Sequence, residues 1–325
     1  MFDRFTGSDA GFAAVVGRTP RLSKVVDADA HEGPVYLPND DALFVTSRPR
    51  PGQPSRIIRI DLDGTAAIAS DRVSSVTTDA TMPNGMTIDH EGFLVVCEQG
   101  DMTHDACISR IDPLSGSRTV VANRWRGRRF NSPNDVAVAP DGAIWFTDPA
   151  YGHLQGFRPE PELGDFVYRW DPSSGLVDVV ADGFDKPNGI ALSPDGTTLY
   201  VTDSGADRGQ GDGTIVVDRP HHVLAFDVVG GRRLAARRLL AVTSPGTPDG
   251  LKVDAEGRVY VSSASGVLVF DPYGSLLGEI AIPGTVNFTF GGRDGNVLFV
   301  TNDTAVWAAE LATTGPLPTL RGASR

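Results

Sequence analysis

The chain has 325 residues, which is enough for one large domain or two of ordinary size. Hydrophobic residues make up 40% and charged residues 22%, as in soluble globular proteins. The net charge of -12 argues against nucleic-acid binding, because such a site needs Lys and Arg to replace condensed counterions. No stretch reaches 18 consecutive apolar residues, so no transmembrane helix is expected.

The first residues lack a charged start followed by an apolar core, so we expect no secretory signal and a cytoplasmic protein. Cys97 and Cys107 are too few for a disulfide framework and lack zinc-site spacing. A single disulfide between Cys97 and Cys107 remains an alternative, although two free thiols are favoured. A basic run at residues 124–129 is interpreted as a solvated loop.

In chain order, a predicted N-terminal extension (residues 1–20) precedes a pattern that recurs six times. An Asn, Asp or Glu is followed by a short apolar strand, a Gly or Asn-Asp turn and a second apolar strand. The copies are EGPVYLPNDDALFVTS (32–47), PNGMTIDHEGFLVVCE (83–98), PNDVAVAPDGAIWFTD (133–148), PNGIALSPDGTTLYVTD (187–203), PDGLKVDAEGRVYVSS (248–263) and VNFTFGGRDGNVLFVTND (286–303). Period-two alternation around such turns predicts a β-hairpin in each copy.

Five copies are followed by another alternating stretch, which we predict to be an outer strand. These stretches are residues 56–64, 107–116, 166–175, 222–231 and 266–274. The copies begin 38 to 61 residues apart, close to the length of a four-stranded propeller blade. The sequence therefore predicts an all-β, six-bladed propeller over residues 21–315, with a tail at 316–325. Residues 22–26 should pair with 305–311 to close the ring.

Other architectures explain these repeats less well. Helical and Rossmann folds are disfavoured because no window sustains a 3.6-residue period and no helix separates successive strands. A two-sheet sandwich remains the structural alternative, but it gives no reason for the recurring polar residue.

That recurring residue, here called the anchor, should face the central channel in every blade. The six anchors are Glu32, Asn84, Asn134, Asn188, Asp249 and Asn287. All offer oxygen donors, which hard divalent cations such as Ca²⁺, Mg²⁺ or Mn²⁺ require. Any single Asn could instead serve the turn. Two carboxylates at a channel mouth favour a metal, because a buried charge needs a partner.

Two common hydrolase motifs are absent from the sequence. No GxSxG or HExxH sequence occurs, which disfavours an α/β-hydrolase serine and a zincin metal site.

The chain resembles the gluconolactonase, senescence-marker-protein (regucalcin) and luciferin-regenerating family of six-bladed propellers. The segments that carry the resemblance follow the family's order: EGPVY, NSPNDVAVAPDGAIWFTDPAYG, KPNGIALSPDGTTLYVTDS and GTPDGLKVDAEGRVYVSS. The resemblance covers residues 30 to 311.

The resemblance implies one divalent metal, with Ca²⁺ favoured over Mg²⁺, Mn²⁺, Zn²⁺ or Fe²⁺. Its ligands would be Glu32, Asn188 and Asp249, and Asp249 would also be the catalytic base. Substrate would contact Asn134, chosen over Asn131 by its register with the following strand, together with Asn84 and Tyr151.

The implied activity is hydrolysis of a small lactone, a sugar lactone above all, by a monomer or homodimer. Three alternatives stay open: a phosphotriester hydrolase, a pathway enzyme acting on a larger non-sugar substrate, and a non-catalytic propeller stabilised by Ca²⁺. The chain departs from the family at residues 44–47, where relatives often have an aspartate, and in insertions at 99–106 and 204–221.

Overall fold

The computed structural model describes residues 4–7, 10–50, 53–207 and 214–317. The chain begins with β1 (Phe5–Gly7), α1 (Ala10–Val16) and β2 (Arg21–Asp27). Blade 1 comprises β3 (Glu32–Leu37), β4 (Ala42–Thr46), β5 (Ile57–Asp61) and β6 (Val73–Ser75), with a 3₁₀ turn at Ser70–Arg72. Blade 2 comprises β7 (Pro83–Ile88), β8 (Leu94–Glu98), β9 (Cys107–Ile111) and β10 (Arg118–Ala122), followed by a small ribbon of β11 (Arg124–Trp125) and β12 (Arg128–Arg129).

Blade 3 comprises β13 (Val136–Val138), β14 (Ile144–Asp148), β15 (Phe166–Trp170) and β16 (Val177–Ala181), with α2 (Tyr151–Leu154) between its second and third strands. Blade 4 comprises β17 (Pro187–Leu192), β18 (Thr198–Asp203), β19 (His222–Val229) and β20 (Arg233–Val242). Blade 5 comprises β21 (Leu251–Val253), β22 (Val259–Ser262), β23 (Val267–Phe270) and β24 (Leu276–Ile280). Blade 6 comprises β25 (Asn287–Gly291), β26 (Val297–Thr301) and β27 (Ala305–Glu310), and β2 is its fourth strand.

The strands form six antiparallel sheets around a ring, which confirms the predicted six-bladed propeller. Each innermost strand contacts the innermost strand of the next blade, and β25 contacts β3 to complete the circle. The predicted hairpins form the inner two strands of every blade. The alternating stretches predicted as outer strands are instead the third strands, because a further, more exposed strand follows each of them.

Ring closure follows the predicted pairing. β2 runs antiparallel to β27, with Leu22 opposite Ala309 and Val26 opposite Val306. Val26 and Val306 lie in the same buried cluster. The first and last parts of the propeller are therefore joined within one sheet.

Apolar side chains fill the gaps between neighbouring blades. Between blades 1 and 2, Phe44 and Ile57 pack with Met86 and Val96, all of them buried. In blade 3, Phe130 meets Phe146 edge-on, with ring centroids 5.2 Å apart. Burial of each such side chain contributes about 1.5–3 kcal/mol, so the interfaces between blades hold the ring.

The described part of the N-terminal extension also packs on the propeller. β1 adds a fifth strand to blade 5, where Phe5 lies opposite Ile280. Phe12 and Val15 of α1 are buried in the cluster between blades 5 and 6. Within the described ranges, both helices are too short to cross a membrane. Of the predicted tail, residues 318–325 lie outside the described part.

The two cysteines, Cys97 and Cys107, are both free and buried, as favoured above.

The basic run at residues 124–129 is not a simple solvated loop, since β11 and β12 pair with each other. Arg124 forms an ion pair with Asp105 at 2.6 Å, so the ribbon is tied to the 99–106 insertion.

Candidate functional site

The anchors lie at the start of the innermost strands or two residues before it, and in three blades a backbone irregularity lies beside the anchor. Glu32 and Asn287 are the first residues of β3 and β25, and Asn84 and Asn188 are the second residues of β7 and β17. Asn134 precedes its strand by two residues. The pairing register shifts just after the anchors of blades 1, 2 and 4. Such bulges redirect side chains.

Glycines after four of the anchors let adjacent inner strands approach closely. A Cβ on Gly189 would lie 2.3 Å from the carbonyl oxygen of Asp249. On Gly250 it would lie 2.3 Å from Oδ1 of Asn287. The glycine of each Asn-Gly or Asp-Gly pair is therefore needed for close packing of adjacent inner strands around the channel, as well as for the local turn.

Threonines at the ends of second strands fix the anchors' backbone. Oγ1 of Thr147 donates to the carbonyl oxygen of Asn188 at 2.7 Å, and Oγ1 of Thr202 donates to that of Asp249 at 3.0 Å. The amide of Asp249 donates to Oγ of Ser262 at 2.9 Å. Hydrogen bonds from the preceding blade, and for Asp249 also from its own blade, thus hold these site residues in place.

Carboxylates at the ends of the second strands of blades 3 and 4 support the loops that lead to the anchors of the same blades. Asp203 accepts the amides of Asp185 and Lys186, at 3.0 and 2.8 Å. The departure at 44–47 puts Ser47 at this position in blade 1. Its Oγ accepts the amide of Arg56 at 3.0 Å. In blade 1 this residue therefore supports the loop between β4 and β5 and not the loop before the anchor.

One cavity of about 590 Å³ at the channel mouth brings the predicted site residues together. Its lining includes all six of them: Glu32, Asn84, Asn134, Tyr151, Asn188 and Asp249. Five blades contribute, and no two of these residues are near neighbours in sequence. Their convergence follows from the ring, as the repeat predicted.

Glu32 is held at one oxygen and unpartnered at the other. Oε2 accepts the amide of Gly33 at 3.0 Å and Nδ2 of Asn287 at 2.7 Å. Oε1 is buried without a hydrogen-bond partner among the described residues. A buried carboxylate oxygen left in this way is costly unless a cation or donor reaches it. Asn287 therefore orients Glu32 and does not line the cavity.

Asp249 faces Glu32 closely enough for the two carboxyl groups to affect each other. Burial raises the pKa of Asp249 well above its usual value, and the charge of Glu32 raises it further. Burial likewise raises the pKa of Glu32. Two carboxylates that crowd together away from water favour a shared cation or proton.

The three predicted substrate residues differ in their surroundings. Oδ1 of Asn134 is buried and unpartnered among the described residues, whereas Oδ1 of Asn84 accepts the amide of Gly85 at 2.9 Å. The hydroxyl of Tyr151 faces the side chains of Ser204 and Asn188. Burial raises the pKa of Tyr151, so its hydroxyl stays protonated and able to donate.

Asn131, the alternative to Asn134, is engaged in its own loop. Its Nδ2 donates to the carbonyl oxygens of Asp148 and Gly164, at 3.1 and 3.0 Å. The choice of Asn134 by strand register agrees with its position in the cavity wall.

Several rim residues carry no signal in the repeat and were missed. They are His31, Arg48, Pro49, Gln99, Leu154, Gln155 and Asp207. Nδ1 of His31 lies 2.6 Å from Oδ1 of Asp303, and Nη1 of Arg48 donates to Oδ2 of Asp303 at 3.0 Å. Of the insertions, 99–106 contributes Gln99 and 204–221 contributes Asp207, while residues 208–213 lie outside the described part.

Among the described residues, no group of three or more His, Cys, Asp and Glu side chains could hold a metal. The candidate site has a different composition, namely two carboxylates and several amide oxygens. Oxygen donors without thiol or imidazole suit Ca²⁺, Mg²⁺ and Mn²⁺ best.

The fold and this cavity define a six-bladed propeller with an oxygen-donor site at one mouth of its channel. Residues 31–304 match the family model described as SMP-30/Gluconolactonase/LRE-like region. The chain belongs to that family, as the sequence resemblance predicted.

Individual relatives agree with this assignment. A gluconolactonase of Zymomonas mobilis is 29% identical over 310 residues, covering 87% of this chain and 82% of the relative. The lactonohydrolase oryL of Aspergillus oryzae is 28% identical and covers 88% of this chain and 69% of its own length. A solved gluconolactonase structure from Xanthomonas campestris superposes with a TM-score of 0.76 at 35% identity, over 95% of both chains.

Proposed function

We propose that this protein is a divalent-metal-dependent hydrolase that opens a small lactone, with a sugar lactone such as gluconolactone as the favoured substrate. The observation that carries the proposal is the unpartnered, buried Oε1 of Glu32 beside Asp249 in an open cavity. The Zymomonas and Xanthomonas gluconolactonases and the Aspergillus lactonohydrolase support the substrate class.

Glu32, Asn188 and Asp249 would hold the metal. The three side chains line one cavity and offer only oxygen, so the residues present fit a hard divalent ion. Ca²⁺ is the favoured ion, and Mg²⁺, Mn²⁺, Zn²⁺ and Fe²⁺ are the alternatives to test. When bound, such an ion supplies Lewis-acid polarisation of the lactone carbonyl and lowers the pKa of nearby water.

The chain's own residues would direct the hydrolysis. A carboxylate oxygen of Asp249 takes the proton of the attacking water as the new carbon–oxygen bond forms. The acyl–oxygen bond of the ring then breaks, and the ring oxygen takes the proton from Asp249 and leaves as the hydroxyl group of the product acid, which restores the Asp249 carboxylate. Asn134 and Asn84 orient polar groups of the substrate, and Tyr151 closes one wall.

The decisive experiment is hydrolysis of a sugar-lactone panel by metal-free protein, with each of the five metal ions added back separately. We expect turnover to depend on an added ion and to be lost in Asp249→Ala with the fold retained. Paraoxon and a larger non-sugar lactone are assayed in parallel.

Each alternative predicts a different result. Faster paraoxon turnover would support a phosphotriester hydrolase, and activity confined to the larger lactone would change the substrate class. Metal that raises the melting temperature without any turnover would indicate a binding propeller. Undiminished activity of Asp249→Ala would remove this residue from the mechanism.

A further inference from the structure

Arg158 is a buried arginine that donates hydrogen bonds to four backbone carbonyl oxygens. It follows α2 in sequence and is only 4% exposed. Nε donates to the carbonyl oxygen of Asn131 at 2.9 Å, and Nη2 donates to that of Phe130 at 3.1 Å. Nη1 donates to the carbonyl oxygens of Asp101 and His104, both at 2.8 Å. These acceptors surround the planar guanidinium group, an arrangement that a lysine cannot reproduce.

The four carbonyl oxygens belong to two loops from different blades. Asp101 and His104 lie in the insertion 99–106 of blade 2, where Oδ1 of Asp101 also accepts the amide of His104 at 2.8 Å. Residues 130–131 lie in the loop that leads to the anchor of blade 3. Arg158 therefore ties the insertion of one blade to the approach loop of the next.

The stem of Arg158 packs on α2. Its amide donates to the carbonyl oxygen of Gly152 at 3.0 Å, and a Cβ on Gly152 would lie 2.3 Å from Cγ of Arg158. The amide of Gly152 in turn donates to Oγ of Ser132 at 2.9 Å. Because Ser132 lies two residues before Asn134, α2 and the approach loop of blade 3 are joined as one unit.

The three segments that Arg158 joins form one side of the candidate site. We call the cavity-lining residues on them the side wall: Gln99, Asn134, Tyr151, Leu154 and Gln155. Arg158 is not among the described residues that line the cavity. The proposed metal ligands Glu32, Asn188 and Asp249 lie on other segments. The side wall and the metal ligands are therefore supported separately.

We propose that Arg158 is a positioning residue that fixes the side wall against which the lactone binds, and so sets how tightly the substrate is held. This inference rests on the proposed lactonase function. Arg158 acts through the backbone, by holding the insertion and the approach loop in one arrangement. Its removal leaves four carbonyl oxygens without their donor, and the loops must move to reach water.

The first test compares steady-state kinetics and Ca²⁺ titration of wild type, Arg158→Met and Arg158→Lys, using the best substrate of the sugar-lactone panel. In Arg158→Met the KM should rise about tenfold, as when one hydrogen bond to the substrate is lost, while kcat changes much less. Arg158→Lys should give a smaller rise, because one ammonium group keeps only part of the bonds. The Ca²⁺ affinity should stay unchanged in both variants.

Arg169→Met is the matched control. Arg169 lies in blade 3 and is also 4% exposed, and it pairs with Asp141 and Asp171 at 3.0 and 3.2 Å. Asp141 lies in the turn between β13 and β14, at the opposite end of the blade from the anchor. Arg169→Met should lower the melting temperature and leave KM unchanged. An equal rise of KM in both Met variants, or an unchanged KM in Arg158→Met, would overturn the inference.

Hydrogen exchange followed by mass spectrometry separates failure of this inference from failure of the proposed function. Arg158→Met should exchange faster than wild type at residues 99–106 and 151–158, and Arg169→Met should not. Unchanged protection of these segments in Arg158→Met overturns the positioning role whatever the activity. If wild type opens no lactone, the proposed function fails and takes the substrate role of the side wall with it, while exchange still decides the positioning role. Should Arg158→Met not fold, Arg158→Lys is judged by the same KM and exchange criteria.

Discussion

Asp303 links two rim residues of the cavity through one carboxylate. It lies between β26 and β27, with Oδ1 2.6 Å from Nδ1 of His31 and Oδ2 3.0 Å from Nη1 of Arg48. His31 directly precedes the ligand candidate Glu32. Asp303 therefore ties the closing blade to the start of the first blade at the mouth of the site.

The pKa of Asp303 predicts how this link responds to acid. Burial alone would raise that pKa, but the hydrogen bond and charge of His31, followed by Arg48 and Arg50, lower it overall. A lowered folded-state pKa gives stability that is present above the unfolded pKa and is lost as pH falls through the folded value. Asp303→Asn should cost about 1 kcal/mol of unfolding free energy at neutral pH, since the pair is partly exposed.

Urea denaturation of wild type and Asp303→Asn from about pH 7 down to about pH 2 would measure this dependence. The difference between the two proteins should shrink below about pH 4. Asp27→Asn is the control, because the carboxylate of Asp27 is largely exposed and pairs with Lys24 at the surface. A difference that stays constant or grows in acid would contradict the assigned role.

At the residue scale, the repeat supplied a register that predicted which anchors lie together in the cavity wall. Glu32, Asn188 and Asp249 could be placed together because each begins the same structural unit. Arg48 and Gln99 could not be placed, since they lie in loops whose lengths differ between blades. The orienting bond from Asn287 to Glu32 also needed three-dimensional structure, because it joins residues 255 apart.

At the element scale, the inner hairpins were predictable and, apart from β2, the outermost strands were not. Inner strands such as β8 and β22 are wholly buried, which gives them continuous apolar sequences bounded by turn residues. Outer strands are less buried: β10 has no fully buried residue and β20 is mostly exposed, and both carry polar or basic residues. Without an apolar pattern they are hard to distinguish from loops.

The contact between the innermost strands β17 and β21 yields a prediction about glycine. In Gly189→Ala the new methyl group would meet the backbone of Asp249, which cannot move as a flexible side chain can. We expect a loss of about 2 kcal/mol in unfolding free energy. Lactone turnover should fall as well, because the backbone that carries a proposed ligand is displaced.

Gly175→Ala provides the matched control for that variant. Gly175 adopts a positive φ of 69° in the turn between β15 and β16, with open space around it. Its replacement should cost about 1–2 kcal/mol through backbone strain and leave turnover unchanged. Equal losses of turnover in both variants would show that crowding at the channel is not the cause.

At the scale of the whole molecule, the ring depends on one strand supplied from the other end of the sequence. β2 covers β27, and Val25 and Val26 fill the cluster that also holds Tyr36 and Phe299. Without β2 this core would open to water and β27 would become an unpaired edge. β1, by contrast, only extends blade 5, so we expect its removal to leave the ring closed.

Two truncations separate ring closure from simple strand addition. Removal of residues 1–20 deletes β1 and α1, and we expect a lower melting temperature with one cooperative transition and preserved turnover. Removal of residues 1–27 also deletes β2, and we expect loss of the cooperative transition and of metal binding, because Glu32 lies five residues beyond this strand. Calorimetry and Ca²⁺ titration would measure both. If the longer truncation still unfolded cooperatively and bound Ca²⁺, the geometry at Glu32 would not depend on the closed ring, and the contacts between blades alone would have to position the anchors.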